Sequence, residues 1–396
     1  MRNTAKRKWG GMEIELLDLP DLGRLELEWR DLEARSDISF FISWTWIGAW
    51  LHSLPEDIRP RLLRANLNGR VMALGVFVPT VLRKARCIPV NVWLLNETGR
   101  PELDNITIEY NGLVIDDTVK HVLEPLLLEH MMAQRGEWDE LQFNALRRPL
   151  TAASRLLKKS GCAAKQRVHK LRKPAYQVCL KDTRDAGQHI RLIKQKPRYH
   201  IKRSLAAYET TGPVTVEIAQ SVDQALAFLS RLKHFHGQHW ADKSENGAFD
   251  HPFCNTFHDR LVRSAFNRGE IQLMAIKAGS AEIAYLYNFV WQGHVYNYQS
   301  GVNYPQMGGK YSPGMTAHSL AIDYNAAQGH HTYDLMAGDH QYKRALTLQT
   351  VQLDWWFARH TNLATHAEDG LRKAARVARY LSALTQHTES LKRAKT

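Results

Sequence analysis

The sequence predicts a chain of the α/β class in its α+β form. Two copies of one fold lie in tandem, each a mixed, largely antiparallel sheet flanked by helices. Three observations carry this. The chain has 396 residues, 44% hydrophobic and 23% charged, the balance of a globular protein long enough for two domain-sized cores. Turn signals such as Asn68-Gly69 and Gln292-Gly293 join runs of strand-forming residues, which favours antiparallel neighbours. One element order (strand, two helices, several strands, helix, strand) occurs twice.

In the first half, MEIELLDL (12–19) reads as a strand and LGRLELEWRDLEARS has helical spacing. SWTWIGAWLHSL (43–54) is a second helix with Ser43 as N-cap. Two strands flank Asn68-Gly69; the second, VMALGVFVPTVL (71–82), contains Pro79 and is too short to span a membrane. ITIEYNGLVI (106–115) is a further strand, VLEPLLLEHMMAQ (122–134) a helix and WDELQFNAL (138–146) a strand.

The second half opens on AYQVCL (175–180), a strand, and on PRYHIKRSLAAYET, a basic helix. VTVEIA (214–219) is a strand. The next helix has Ser221 as N-cap and carries His234, His236 and His239; its successor is closed by Gly269. A three-strand meander follows, turning at Ala278-Gly279-Ser280 and Gln292-Gly293. A glycine-rich loop leads into a helix opened by Ser312-Pro313-Gly314 and ending near Gly329. HTYDLMAG (331–338) is a strand, HQYKRAL a short helix and LQTVQLDWWFAR (348–359) a last strand. The domains expected are 1–165, 166–365 and a basic helical tail, 366–396.

Net charge is +13, unevenly spread. Between Lys165 and Arg203 there are thirteen Lys and Arg against two acidic residues, a stripe that attracts phosphates and acidic partners. Its aromatics are only Tyr176 and Tyr199, too few for a base-stacking surface. Four scattered cysteines without a CxxC pair fit structural thiols in a reducing cytoplasm. The basic start is followed by no apolar segment of the secretory kind. No GxSxG, GxxxxGK[ST] or strand-linked GxGxxG is present, against hydrolase-elbow, P-loop and dinucleotide chemistry. His236 and His239 have a metal-ligand spacing, yet no HExxH accompanies them, so no metal is expected.

The second half resembles the GNAT acyltransferase fold in element order. YNYQSG (296–301), Ser312-Pro313-Gly314 and YDLMAGDHQYK (333–343) resemble motifs of the CelD-type acetyltransferases, which are related to Fem-type aminoacyltransferases. FFISWTWIGAWL resembles their N-terminal half. The resemblance implies a cytoplasmic N-acyltransferase with acetyl-CoA or another acyl-CoA as donor. It implies an amine acceptor such as an amino sugar or a polysaccharide precursor. An acidic acyl-carrier protein or an aminoacyl-tRNA remains an alternative donor, and a non-catalytic partner-binding fold an alternative function.

A helix N-terminus offers unpaired N–H groups and partial positive charge to a pyrophosphate. Gln306, Gly308, Gly309, Lys310, Ser312 and Gly314 are therefore the donor-binding candidates. The loop departs from the GNAT pattern Gln/Arg-x-x-Gly-x-Gly/Ala, because Gly309 is followed by Lys310 and Tyr311 rather than x-Gly. Amine acylation needs a base and an acid. Asp334 and then Asp339 are the candidate bases, Tyr342 the candidate acid and Lys343 the candidate anion-holding cation. His239, Trp240, Tyr298 and Ser300 are the candidate substrate contacts. The first half, lacking a comparable loop, is expected to pack and to form a cleft wall.

Overall fold

The computed structural model describes residues 7–9, 11–85, 87–134, 136–147, 166–182, 188–240, 249–304, 311–360, 362 and 365–371. Its first half comprises β1 (Arg7–Trp9), β2 (Met12–Asp18), α1 (Leu22–Glu33), α2 (Trp44–Ser53), β3 (Arg61–Leu67) and β4 (Arg70–Lys84). Then come β5 (Ile88–Leu95), α3 (Pro101–Asp104), β6 (Val114–Ile115), α4 (Lys120–Met132) and β7 (Glu140–Leu146). The second half comprises β8 (Gln166–Cys179), α5 (Gln188–Leu192), α6 (Gln195–Glu209), β9 (Val214–Ile218), α7 (Val222–Trp240) and α8 (Pro252–Ala265). It closes with β10 (Ile271–Ala278), β11 (Ala281–Trp291), β12 (His294–Val302), α9 (Pro313–Ala327), β13 (Thr332–Ala337), α10 (Gln341–Leu346) and β14 (Gln349–His360).

The strands form one sheet in the order β1-β2-β3-β4-β5-β7-β14-β8-β13-β12-β11-β10-β9, with β6 beside β4. All pairings of named strands are antiparallel except β5 with β7 and β12 with β13. The two halves thus repeat one pattern: a strand, two helices, an antiparallel meander, a helix and a strand that returns parallel to the meander's last. The halves are joined by β14, which pairs with β8 on one edge and β7 on the other.

The hairpins behave as their residues dictate. Asn68-Gly69 and Gln292-Gly293 both take positive φ at the two turn positions, the geometry that matches strand twist. Gly269 takes φ +70° after α8 and its short 3₁₀ extension. Ser221 Oγ accepts the N–H of Gln224, as a cap should. Ser43 holds the N-cap position, but its hydroxyl turns back to the Phe40 carbonyl. The Glu33 carboxylate accepts the Trp44 N–H instead.

Three expectations change. ITIEYNGLVI is not a strand: positive φ at Thr107 (47°) and Tyr110 (50°) breaks extended pairing, and only β6 remains of it. Strand β5 was not foreseen. Strand β8 begins nine residues before the expected start at Ala175, because its Lys/Arg-rich part runs antiparallel along β14, a pairing that outweighs composition.

Aromatic packing welds the halves. Phe40 stacks on Phe289 at 4.3 Å, and Trp46 meets Phe257 edge-on at 4.9 Å. Thr45 Oγ1 donates to Glu270 across the same junction. Among the described residues no helix is long and apolar enough to cross a membrane.

Candidate functional site

Strands β12 and β13 share three parallel pairs, from His294–Thr332 to Tyr296–Asp334, and then part. Just past the parting, β12 carries one extra residue: Asn288 and Tyr287 of β11 face Asn297 and Gln299, which leaves Tyr298 as a bulge. On its β13 side, β12 has no strand-paired residue beyond Tyr296 among the described residues. A cleft of about 660 Å³ fills the gap. Its floor is β12 from Asn297 to Ser300 and β13 from Leu335 to Ala337. One wall is the start of α9, Ser312 to Met315, and another is α7 with His236 and His239. Tyr342 and Lys343 of α10 close it, together with Thr107 and Glu109 from the first half.

The bulge has a steric companion. At Gly301 a Cβ would lie 2.3 Å from the Leu232 carbonyl oxygen, so only glycine lets α7 cross β12 this closely. The start of α9 is held from below. Ser204 of the basic helix α6 accepts the Ser312 N–H at 3.0 Å and bonds Thr316 Oγ1 at 2.9 Å. Pro313 has no N–H to satisfy, and the first-turn N–H groups of Gly314 and Met315 lie at the cleft wall.

The sequence candidates separate into three groups. Tyr342, Lys343, Ser312, Gly314, His239, Tyr298 and Ser300 all line the cleft. Asp334 and Asp339 do not. Asp334 is fully buried in the sheet, one residue behind the floor. It accepts from Gln177 of β8 at 2.8 Å, His294 of β12 at 3.0 Å and its own strand's Met336 N–H at 2.7 Å, so it locks the strand junction. Asp339 is half-exposed and pairs with Tyr176 and Arg344. Gln306, Gly308, Gly309, Lys310 and the side chain of Trp240 lie outside the described residues, as does the tail beyond residue 371.

The cleft-lining candidates have defined partners. Tyr298 donates its hydroxyl to the Ile106 carbonyl of the first half and meets His258 Nε2 at 3.2 Å. Ser300 donates to Asn297, which begins a buried amide ladder through Asn288 and Gln272 to Asn325 of α9. The Tyr342 ring stacks between His318 at 5.4 Å and His340 at 6.1 Å, and burial pushes its hydroxyl pKa up, so it stays protonated. Lys343 is buried, and its Nζ donates to the Met336 and Ala337 carbonyls at 3.2 and 2.5 Å. Burial lowers its pKa against the pull of Glu109 and Asp334.

Two cleft residues were missed by sequence reasoning. Glu109 accepts the Ala337 N–H at 2.7 Å. Burial raises its pKa to about 7, against the Ala337 bond and the Lys343 charge. The Asn111-Gly112 pair just after it was the available sign of a loop rather than a strand. His318 of α9 is pushed down to about 3 by burial and is a neutral imidazole; an apolar helix pattern gives no sign of it. His236 and His340 are also lowered by burial. Among the described residues no group of three or more His, Cys, Asp or Glu is arranged to hold a metal.

The family comparison falls on the half that carries the cleft. Residues 195–344 match the acetyltransferase (GNAT) domain family. A search of curated proteins finds no match. Among solved structures, FemX aligns over 89% of this chain and 99% of its own at 10% identity, with a TM-score of 0.56. The C-terminal domain of a candidate lysylphosphatidylglycerol synthetase from Agrobacterium fabrum aligns over 90% and 96% at 13% identity, with a TM-score of 0.50. At these identities the likeness is one of fold. The domain match, on a sheet whose halves repeat one topology, supports an enzyme of the acyltransferase class built as a tandem GNAT fold.

Proposed function

We propose that the chain transfers an acyl group, acetyl the first to test, from acyl-CoA to an amine bound in the same cleft. The observation that carries this is the parting of β12 and β13 against the N-terminus of α9. A thioester carbonyl laid along the parted β12 edge meets backbone N–H groups freed from pairing, which polarise it as charge develops. The pyrophosphate meets the first-turn N–H groups of α9, where the helix dipole favours negative charge. Tyr342, fixed by its two imidazole neighbours and held protonated, donates to the departing thiolate. Lys343 shapes the floor by gripping two carbonyls of β13. The CelD-type motif resemblance favours an amino sugar or a polysaccharide precursor as acceptor. The catalytic unit is then residues 166–365, with 1–165 supplying the opposite wall.

Calorimetry with acetyl-CoA tests the donor, with Gly314→Asp as the control. A Cβ at Gly314 meets nothing closer than 3.9 Å, and an acidic residue in a helix's first turn favours the helix. The variant therefore folds but repels a phosphate. Micromolar binding, about −8 kcal/mol, that is lost in the variant supports the reading. Absence of binding to the unaltered chain refutes the CoA donor and turns attention to an acyl-carrier protein or aminoacyl-tRNA at the basic α6.

A further inference from the structure

We infer that the first half supplies the general base: Glu109, carried into the cleft on the loop after α3, takes the proton of the attacking amine. This rests on the acyl-transfer reading above and names the group that the reading leaves open.

The argument begins with geometry. Of the two sequence candidates, Asp334 is sealed in the sheet with Gln177, His294 and a backbone N–H on its oxygens. Asp339 lies off the cleft with Arg344 and Tyr176. Glu109 is the carboxylate among the described residues that lines the cleft. It is aimed by one bond: Oε2 accepts the Ala337 N–H at 2.7 Å. Among the described residues Oε1 takes no hydrogen bond and is the oxygen left for an acceptor. The loop behind it is fixed by Tyr298 Oη on the Ile106 carbonyl and by Gln177 on Tyr110 Oη. Thr107 and Tyr110, on either side, hold positive φ, a strained path that persists because both ends are tied.

The surroundings suit a base at neutral pH. Burial raises the Glu109 carboxyl to about 7; the Ala337 bond, Lys343 of α10 and Lys173 of β8 lower it, and Asp334 of β13 raises it. Tyr110, Tyr298 of β12 and Tyr342 of α10 also face its charge. A base works best when its pKa lies near the working pH. The step balances simply. The neutral amine's lone pair forms the C–N bond to the thioester carbonyl carbon, and Glu109 takes the proton that this nitrogen must lose. The C–S bond breaks, the sulfur takes a proton from Tyr342, and solvent returns one proton to Tyr342 and removes one from Glu109. A carboxylate at the acceptor position also selects a cationic or amine-bearing acceptor over an anionic one.

The test uses the full chain and Glu109→Gln, whose amide oxygen still accepts from Ala337. Acetyl-CoA binding is read by calorimetry, and thiol release from acetyl-CoA with hydroxylamine or glucosamine is followed across pH. The expected result is donor affinity within threefold of the unaltered chain and turnover lower by about 10²–10⁴. The rise of activity through neutral pH should disappear in Glu109→Gln and return in part in Glu109→Asp. Turnover within threefold, with the same rise, overturns the assignment while leaving the donor site standing. Where neither amine supports turnover, the glutamate side-chain ¹³C titration decides, with Glu109→Gln identifying the resonance. A midpoint near neutrality supports the assignment, and one at the ordinary 4.5 overturns it.

Discussion

Replacing Lys343 with Met separates what this residue does for the fold from what it does for the cleft. Methionine nearly matches the aliphatic stem, so packing volume is kept and the ammonium is lost. Lys343 is 5% exposed, so solvent screens its contacts little. Its Nζ donates to the Met336 and Ala337 carbonyls, where β13 bends through positive φ at Met336 (65°) and Gly338 (106°). Each bond from a charged donor is worth about 1.5–3 kcal/mol when removed. Both carbonyls lie at the cleft, where water replaces part of the loss, so the variant should be less stable by about 2–4 kcal/mol. Urea denaturation with an unchanged slope measures this. The same charge holds the Glu109 carboxyl down. Without it the Glu109 pKa moves up, and the rise of activity moves to higher pH. A stability change under about 0.5 kcal/mol together with an unmoved pH profile would refute the reasoning. Acetyl-CoA affinity in the same variant tests the sequence-based expectation for Lys343: a large loss means that its charge holds an anionic group of the donor.

Two further predictions use burial in the second half. His318 is held near pKa 3 by burial, so the unfolded chain binds the extra proton between about 3 and 6.5, and stability from this group falls as pH falls through that window. His318→Phe should therefore flatten the acid limb of stability by about 1.4 kcal/mol per pH unit, measured by denaturation between pH 4 and 6.5 (about the ordinary imidazole pKa); an unchanged slope would mean that the imidazole is charged in the fold. Gly301→Ala places a methyl group against the Leu232 carbonyl and should cost about 1–3 kcal/mol. It should also displace α7 with His236 and His239, which a weakened acceptor KM at unchanged donor affinity would report.

Local chemistry made much of the second half legible. Turn residues fixed the hairpins, apolar spacing fixed α7 and α8, and Pro313 with Ser312 fixed where α9 starts. The charge of β8 misled because composition is a weak guide to strand pairing, and its lysine- and arginine-rich part pairs along β14 all the same. Asp334 was the first candidate base. It lies between β8 and β12, and nothing in YDLMAG says on which side of the sheet a neighbour closes over it. The cleft itself depends on where two parallel strands stop pairing and on one extra residue at Tyr298. Neither leaves a periodic trace. Glu109 was invisible for a stronger reason: it and Ala337 are 228 residues apart in the chain, and only their meeting makes either one a site residue.

The repeat of the fold explains why one cleft is open and its counterpart is not. In the first half, β5 and β7 also share three parallel pairs, Val92–Glu140 to Leu94–Gln142, and would part in the same way. There, Asn111 fills the gap. Its N–H donates to the Ala145 carbonyl, its Nδ2 to the Leu95 carbonyl, and its Oδ1 accepts from Asn96. The Leu95 and Ala145 carbonyls and, through its bond to the Asn111 carbonyl, the Arg147 N–H are thereby paired within the chain. Two residues earlier, the same loop carries Glu109 to Ala337 of the other half, with Tyr110 between them packed on Tyr296 at 5.4 Å. Closing the first gap and furnishing the second are thus one structural act, performed by residues 109 to 111. Any change that shifts Asn111 along β7 must also move Glu109, so the first half reaches the cleft through the same loop that closes its own gap.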